Sequence, residues 1–525
     1  MPDHLTAAAR RNAIGDILPR TAARVPDKTA LVYGATERTF AELDAVVART
    51  ASALAADGVA RGDRFGIVAR NSDEFAILYL ALARTGAVSV PVNFMLNADE
   101  IAYILDDAGC TGVAVATEFV GTVADALARL AAPVARRVQI TVDGGPLAEG
   151  WTELTTLLAY DGPVLPAADV APDELIQLLY TSGTESHPKG VMLTSAALMA
   201  QYTSVIVGGR MSADDVELHT LPLYHTAQLH CFLTPALLLG STSIVHSRPV
   251  PARIVADAAR YGVTKFFAPP TIWIALLAEL DATPGAAPGA DLSTLRKGYY
   301  GAAAMPVEVL HQLAERLPDL ELWNFYGQTE MSPIATILEP AYAATKLGSA
   351  GRPALNVETR VVDDADQPVP PGVVGEIVHR SPQLMTGYWR RPDLTEAAFA
   401  GGWFHSGDLG VFDEDGFLTI VDRKKDMVNT GGENVASREV EECLYLHPAV
   451  AEAAVVGLPH PQWVEQVTAA VVLKPGAAAG PEDLRAHCAE RLAGFKVPKQ
   501  VVLVEALPKN ASGKILKRDL RTSLL

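Results

Sequence analysis

The sequence predicts an α/β protein: a large N-terminal body of two α/β subdomains with a small β-barrel-like unit, followed by a small C-terminal α+β lobe. Three observations lead there. Apolar runs alternate with helix-periodic stretches, the pattern of parallel sheets covered by helices on both faces. Residues 357–421 break into short runs separated by turn signals, as hairpins do. Charge is unevenly divided: residues 423–525 hold 14 basic and 12 acidic side chains, whereas residues 1–422 hold 29 and 49.

RFGIVARN from Arg64, SDEFAILYLALARTG from Ser72 and AVSVPVN from Ala87 read as strand, helix and strand. GVTKFFAPP from Gly262 followed by TIWIALLAEL repeats the pattern. VETRVVD, GEIVHRS, GWFHSGDLG and FLTIVDR, with DADQPVPPG between the first two, form the β unit at about residues 350–421. In the lobe, PEDLRAHCAERLAG begins with Pro481 and two acids, repeats Leu484, Cys488 and Leu492 on one face, and ends at Gly494, which marks an amphipathic helix. SREVEECLYLHP supplies a second helix, and VAEAAVVGL and VTAAVVLKP supply strands. The body is therefore assigned to residues 1–422 and the lobe to residues 423–525.

The 43 basic and 61 acidic residues give a net charge of −18. This excludes broad electrostatic binding to nucleic acid or anionic membranes, which needs a positive surface to displace counterions. The apolar stretches near residues 76–92 and 233–245 are interrupted by Arg84, Gly86, Pro235 and Gly240, so no transmembrane segment is expected. MPDHLTAAARRNAIGDILPR lacks the continuous apolar run of a signal peptide. Cys110, Cys231, Cys443 and Cys488 are widely separated without a CxxC pair, which fits a reduced, cytoplasmic protein. His219, His225 and His230 do not have zinc-ligand spacing.

The first chemical motif is YTSGTESHPKG from Tyr180, a loop of hydroxyls and glycines between two apolar runs. Such a loop aims backbone N–H groups and hydroxyls at a polyphosphate, and its lysine adds a point charge. It is not a Walker A loop, because Pro188 precedes the lysine and no helix starts there. Further along stand YGAAAMP from Tyr300, NFYGQTE from Asn324, HSGDLG from His405, DRKKDMV from Asp422, GGENV from Gly431, and PKNASGK ending at Lys514.

With these motifs in this order over nearly the whole chain, the sequence resembles the adenylate-forming superfamily of acyl-CoA synthetases, luciferase-like enzymes and peptide-synthetase adenylation domains. Its motifs are most similar to those of fatty-acid or aryl acid–CoA ligases, and LAGFKVPK from Leu492 points the same way. The resemblance implies an ATP- and Mg²⁺-dependent enzyme that forms acyl-AMP and pyrophosphate, then a thioester with CoA. Thr181, Ser182, Gly183, Thr184 and Lys189 would surround the β- and γ-phosphates, and Thr329 would meet the α-phosphate. Glu330 would hold Mg²⁺. Ala302, Ala303, Asn324, Phe325 and Tyr326 would line the adenine slot, with Asp408 and Arg423 at the ribose.

The resemblance also places Lys514 as the catalytic cation on a mobile lobe, between the attacking carboxylate and the α-phosphate. Lys425 would be the hinge, about which rotation brings Gly431, Gly432 and Glu433 to flank the pantetheine arm. His225, Trp273, Gly301, Ala302 and Gly327 would shape the acyl pocket. The motifs leave open an amine or a carrier-protein thiol as acceptor, and a nucleotide-binding interaction protein without catalysis. They also leave open the acid itself and whether the chain is a monomer or homodimer.

Two features are particular to this chain. Glu185 and Ser186 replace the threonine and glycine usual in the family's phosphate loop, and a carboxylate there repels polyphosphate unless it is paired or turned away. Glu185→Thr is expected to retain acid-dependent pyrophosphate release; an inactive but folded variant would assign the acid a specific task. Residues 494–518 carry Lys496, Lys499, Lys509, Lys514, Lys517 and Arg518 against Glu505 alone, so a basic strip is expected to close over an acidic body.

Overall fold

The computed structural model describes residues 6, 9–142, 144–181, 188–282, 292–301, 305–510 and 513–525. Strand Arg64–Val68, helix Asp73–Thr85 and strand Val88–Pro91 form where the alternating pattern predicts them, with the two strands parallel. Ser72 starts that helix by accepting a hydrogen bond from the Phe75 N–H, and Gly86 ends it at φ +74°. The helix is buried along most of its length, Asp73 to Ala83, so its apolar residues cover every side rather than one stripe.

The body contains two large sheets. The seven-stranded one runs Thr152–Glu153, Arg136–Ile140, Cys110–Ala116, Arg64–Val68, Val88–Pro91, Leu175–Thr181, Lys189–Thr194 in spatial order. It is parallel except for its last pair, in which Thr181 lies opposite Lys189. The nine-stranded sheet has Val216–His219, Lys265–Phe267, Lys297–Gly301 and Glu321–Gly327 as parallel neighbours near its centre. Thr29–Tyr33 from near the N-terminus pairs with Thr242–Val245 in this second sheet, tying the two subdomains together early in the chain.

One hydrophobic core spans both sheets, including Phe75, Tyr79, Phe232, Phe267, Tyr299 and Trp323. The opposite face of the nine-stranded sheet has its own core with Phe266, Trp273, Tyr300 and Leu276. Strand alternation causes the split, since Phe266 and Phe267 must point to opposite faces.

The barrel-like unit expected near residues 350–421 is an open four-stranded antiparallel sheet, Glu358–Val362, Gly375–Arg380, Phe404–Phe412 and Leu418–Arg423. Its outer strands do not pair with each other. The Leu418 edge instead meets Gly351 of the body in an antiparallel bridge, which satisfies part of that edge without closure.

The lobe packs helices Ser437–Tyr445, Pro481–Ala489 and Lys517–Leu524 on a five-stranded sheet centred on Val450–His460 and Val464–Leu473. The Pro481 helix stops at Ala489, before Leu492, which is partly buried against the lobe core. Asp422 joins body to lobe: its Oδ2 accepts hydrogen bonds from the Ser437 N–H and hydroxyl at 2.6 and 2.7 Å. Arg438 donates back to the Ile420 carbonyl at 2.6 Å. Among the described residues no helix is long and apolar enough to cross a membrane.

Candidate active site

Parallel strands place their following loops on one edge of the sheet. Strands Val216–His219, Lys265–Phe267, Lys297–Gly301 and Glu321–Gly327 thus lead into the segments carrying His225, Thr271, the YGAAAMP motif and Glu330. Two glycines permit close backbone approach there. A Cβ on Gly301 would collide with the Phe325 carbonyl oxygen, and one on Gly327 with the Pro333 carbonyl oxygen.

Asp408 is buried and accepts a hydrogen bond from the Tyr326 hydroxyl at 2.7 Å; the Arg423 guanidinium lies 3.4 Å from its other oxygen. Asp408 and Arg423 face each other across the antiparallel pair Phe404–Phe412 and Leu418–Arg423. Burial raises the Tyr326 hydroxyl pKa well above its usual value, and the neighbouring Asp408 charge adds to this, so the phenol stays a donor.

Glu330 is the middle residue of a short 3-10 turn, Thr329–Met331, and Tyr388 donates to its Oε1 at 2.9 Å. Burial pushes the Glu330 carboxyl up, while Arg423 and Lys189 act against that shift. Lys189 lies 5.2 Å from the Tyr388 ring centroid. Lys189, Tyr388 and Glu330 therefore form one polar cradle beside Thr181. A buried carboxylate with one protein hydrogen bond and a lysine nearby fits Mg²⁺, which takes most of its ligands from substrate phosphates and water.

Lys514 reaches this site from the lobe. It sits in a tight turn where Lys509 bridges Ile515, the Asn510 side chain accepts from the Lys514 N–H at 2.8 Å, and Gly513 has φ +81°. Gly513 packs against Thr271 and Pro269 of the body. Burial lowers the Lys514 pKa to about 8, with Arg423 adding to the shift and Asp408 opposing it. His225 feels the Lys514 charge too: burial first, then that cation, lower its pKa to about 4. Its Nδ1 accepts from the Ala227 N–H at 3.2 Å, which leaves the proton of the neutral ring on Nε2 as a donor.

The other expected residues separate by position. Asn324 donates to the Ser349 carbonyl at 2.9 Å. Strand alternation turns the Phe325 ring away from Tyr326 and into a buried aromatic stack, 5.1 Å from Tyr299 and 6.0 Å from Phe232. Trp273 is fully buried in the core on the other face of the sheet and donates to the Tyr299 carbonyl at 3.1 Å, so it packs that core rather than presenting a wall to the cleft. Ser182, Gly183, Thr184, Ala302 and Ala303, with Glu185 and Ser186, lie outside the described residues.

Lys425 lies in the turn between strands Leu418–Arg423 and Val428–Thr430. Gly431 and Gly432, at φ +64° and +91°, turn the exposed hairpin that ends in Glu433. The Gly431 N–H bonds the Trp463 carbonyl at 2.8 Å. The turn that carries Lys514 packs by Gly513 against Thr271 and Pro269 of the body.

His219 and His230 are fully buried and engage Gln228 and Tyr202, each at 2.8 Å. The basic strip is largely neutralised within the lobe. Lys496 pairs with Glu439 at 2.7 Å, Lys509 with Glu452 at 2.6 Å and Lys517 with Glu441 at 2.8 Å. These acids are distant in sequence, so a linear charge count could not reveal them. Tyr388 was also invisible to motif reading, since it lies 58 residues from the Glu330 it orients.

This arrangement defines an adenylate-forming enzyme. Residues 18–389 match the AMP-binding enzyme family and residues 439–514 its C-terminal domain, and the chain belongs to that family. It is 38% identical over 512 residues to feruloyl-CoA synthase of Amycolatopsis sp, covering 98% of this chain and 99% of the relative. Indoleacetate–CoA ligase of Aromatoleum aromaticum is 34% identical, covering 97% of each chain. Among solved structures, anthranilate CoA ligase AuaEII in complex with anthranoyl-AMP superposes with a TM-score of 0.89 at 26% identity, covering 98% of each chain. The chain is an AMP-forming acid–CoA ligase, using ATP and CoA.

Proposed function

We propose that the acid is aromatic and that Lys514, Asp408, Arg423, Glu330, Lys189 and the phosphate loop 181–184 perform its adenylation. The observation that carries the substrate class is the ring stack beneath the site. Phe232 lies 4.4 Å from Phe267, 5.4 Å from Tyr299 and 6.0 Å from Phe325, all buried under the segment that follows His225. A long alkyl chain buried through this segment would have to displace these rings, whereas a compact aromatic acid would not. The names of the relatives, feruloyl-CoA, indoleacetate and anthranilate ligases, support the same class.

In the first half-reaction an acid oxygen attacks the α-phosphorus and the bond to the pyrophosphate oxygen breaks. Lys514 would sit between the two anions, so its charge would offset their repulsion and the charge that grows at the transition state. Asp408, held by Tyr326, would accept from the ribose hydroxyls. Lys189 would meet the departing phosphates, and Mg²⁺ on Glu330 would neutralise them further. His225, a neutral donor from Nε2, would bond the acyl oxygen rather than remove a proton. In the second half-reaction the CoA sulfur attacks the acyl carbon and AMP leaves. Lys514 would first withdraw, by rotation about Lys425, so that the Gly431–Glu433 hairpin replaces it.

The test is a panel of ferulate, indole-3-acetate, anthranilate, benzoate and hexadecanoate, with and without CoA, read by pyrophosphate release and product mass. At least one aromatic acid is expected to exceed hexadecanoate by about ten-fold or more in kcat/KM, the ratio that about 1.4 kcal/mol of differential binding gives. Preference for hexadecanoate would overturn the aromatic assignment. An amide or carrier-protein product in place of acyl-CoA would overturn the acceptor.

A further inference from the structure

Both ends of the phosphate loop are fastened to one helix that carries none of the motifs. Asn97 starts helix Ala98–Ala108 by accepting hydrogen bonds from the Asp99 and Glu100 N–H groups, and Gly109 ends it at φ +64°. Arg64 donates to the Ala108 and Gly109 carbonyls at 2.9 and 3.0 Å, which serves acceptors that the helix end leaves open. Tyr103 and Asp107 are four residues apart and so lie on the same side of this helix. The Tyr180 hydroxyl donates to Asp107 Oδ2 at 2.5 Å, and the Tyr103 hydroxyl donates to the Pro188 carbonyl at 3.3 Å. Tyr180 directly precedes Thr181 and Pro188 directly precedes Lys189, and Thr181 and Lys189 lie opposite each other in the antiparallel pair.

The outer edge of strand Lys189–Thr194 is held from the same place. The Trp389 N–H bonds the Gly190 carbonyl at 2.7 Å, the Met192 N–H bonds the Gly387 carbonyl at 3.0 Å, and Val191 bridges Tyr388. The Trp389 indole donates to the Asp107 carbonyl at 2.9 Å. Gly190 leaves room for this packing, since a Cβ there would lie 3.1 Å from Tyr180 Cζ and 3.2 Å from Trp389 Cβ. Asp107 thus engages the strand that enters the loop through its side chain, and through its carbonyl the segment carrying Tyr388, the partner of Glu330.

A hydrogen bond to a carboxylate is stronger than one between neutral groups. Burial first, then the bond to Asp107 and its charge, push the Tyr180 hydroxyl pKa up, so the phenol stays a donor. Fixing both ends of a loop before a ligand arrives lowers the ordering cost of closing it on that ligand. Asp408 is held separately, by Tyr326 and Arg423, so the anchors act on the polyphosphate end of the nucleotide and not on its ribose. We propose that Asp107, acting through Tyr180 and together with Tyr103, is a positioning residue for adenylation that sets Thr181 and Lys189 against the β- and γ-phosphates without touching the nucleotide itself. This rests on the reading of residues 181–189 as the phosphate loop.

Asp107→Ala and Tyr180→Phe test it in the full chain, with the acid that gives the fastest pyrophosphate release in the panel above. In both, KM for ATP is expected to rise about ten-fold, the loss of one charge-assisted hydrogen bond. Asp107→Asn should restore most of the unaltered KM, because its amide oxygen still accepts from Tyr180. Inhibition by AMP, which lacks the β- and γ-phosphates, should stay within about two-fold in all three variants, and so should thioester formation from supplied acyl-adenylate and CoA. An unchanged KM for ATP would overturn the assignment. Equal weakening of ATP and AMP in Tyr180→Phe would also overturn it, since that is the mark of a general structural role. Lys189→Ala tests the underlying reading separately. If KM for ATP rises in Lys189→Ala but not in Tyr180→Phe, only the anchoring role fails; if it rises in neither, the phosphate-loop reading fails and the role of Asp107 with it.

Discussion

Lys514→Ala is expected to slow acyl-adenylate formation about 1,000-fold, the upper range for removing one preorganised charge-stabilising group. Thioester formation from supplied acyl-adenylate and CoA should stay within about three-fold, because that step needs Lys514 out of the site. The structure provides the basis for this split. The Lys514 turn docks by Gly513 against Thr271 and Pro269, and its charge is registered at His225. Equal loss of both half-reactions would contradict the two-position assignment of the lobe.

The same lysine sets a pH limit. Its pKa is lowered to about 8, so the cation required for adenylation is present below that pH and lost above it. In kcat/KM, which reports the free enzyme, the adenylation rate should fall on the alkaline side with an apparent pKa near 8. Lys514→Arg should move that limb upward, since a guanidinium stays charged. His225, lowered to about 4, should add no acid limb between about pH 5 and 7. An alkaline limb unmoved in Lys514→Arg would assign it to another group.

Asp408→Ala is the second large effect expected. Two ribose hydroxyl bonds to a buried carboxylate, at about 1.5–3 kcal/mol each, predict a fall of about 100-fold or more in kcat/KM for ATP. The substitution also leaves the Tyr326 hydroxyl and the Arg423 guanidinium without their shared partner. Asp408→Asn keeps the shape and removes the charge, so it separates hydrogen bonding from pairing with Arg423. Titration with AMP should show the same order of losses. Unchanged ATP dependence in Asp408→Ala would remove this residue from the nucleotide site.

Much of the fold was legible because local patterns there agree with tertiary demands. The run RFGIVARN became strand Arg64–Val68, and Ser72 and Gly86 bracketed the following helix as their cap chemistry predicts. The turn around Lys514 was foreshadowed by Gly513, which has φ +81°. Other features depend on partners far away in sequence. Whether the β unit closes is decided by the edge contact of Leu418 with Gly351. The side of the sheet that Trp273 packs on is decided by the alternation of Phe266 and Phe267 above it.

The lobe's charge shows the division most clearly. The sequence by itself determined the family motifs, their order, and a lysine-rich stretch near the end of an otherwise acidic chain. Only the tertiary structure decided which of those lysines act on the cleft. Lys496, Lys509 and Lys517 are paired with Glu439, Glu452 and Glu441 of their own lobe, whereas Lys514 follows Gly513, which packs against Thr271 and Pro269 of the body, and feels the charges of Arg423 and Asp408. The physical reason is range: a motif is read over a few consecutive residues, while the field at a side chain is set by whatever charges folding brings within several ångströms.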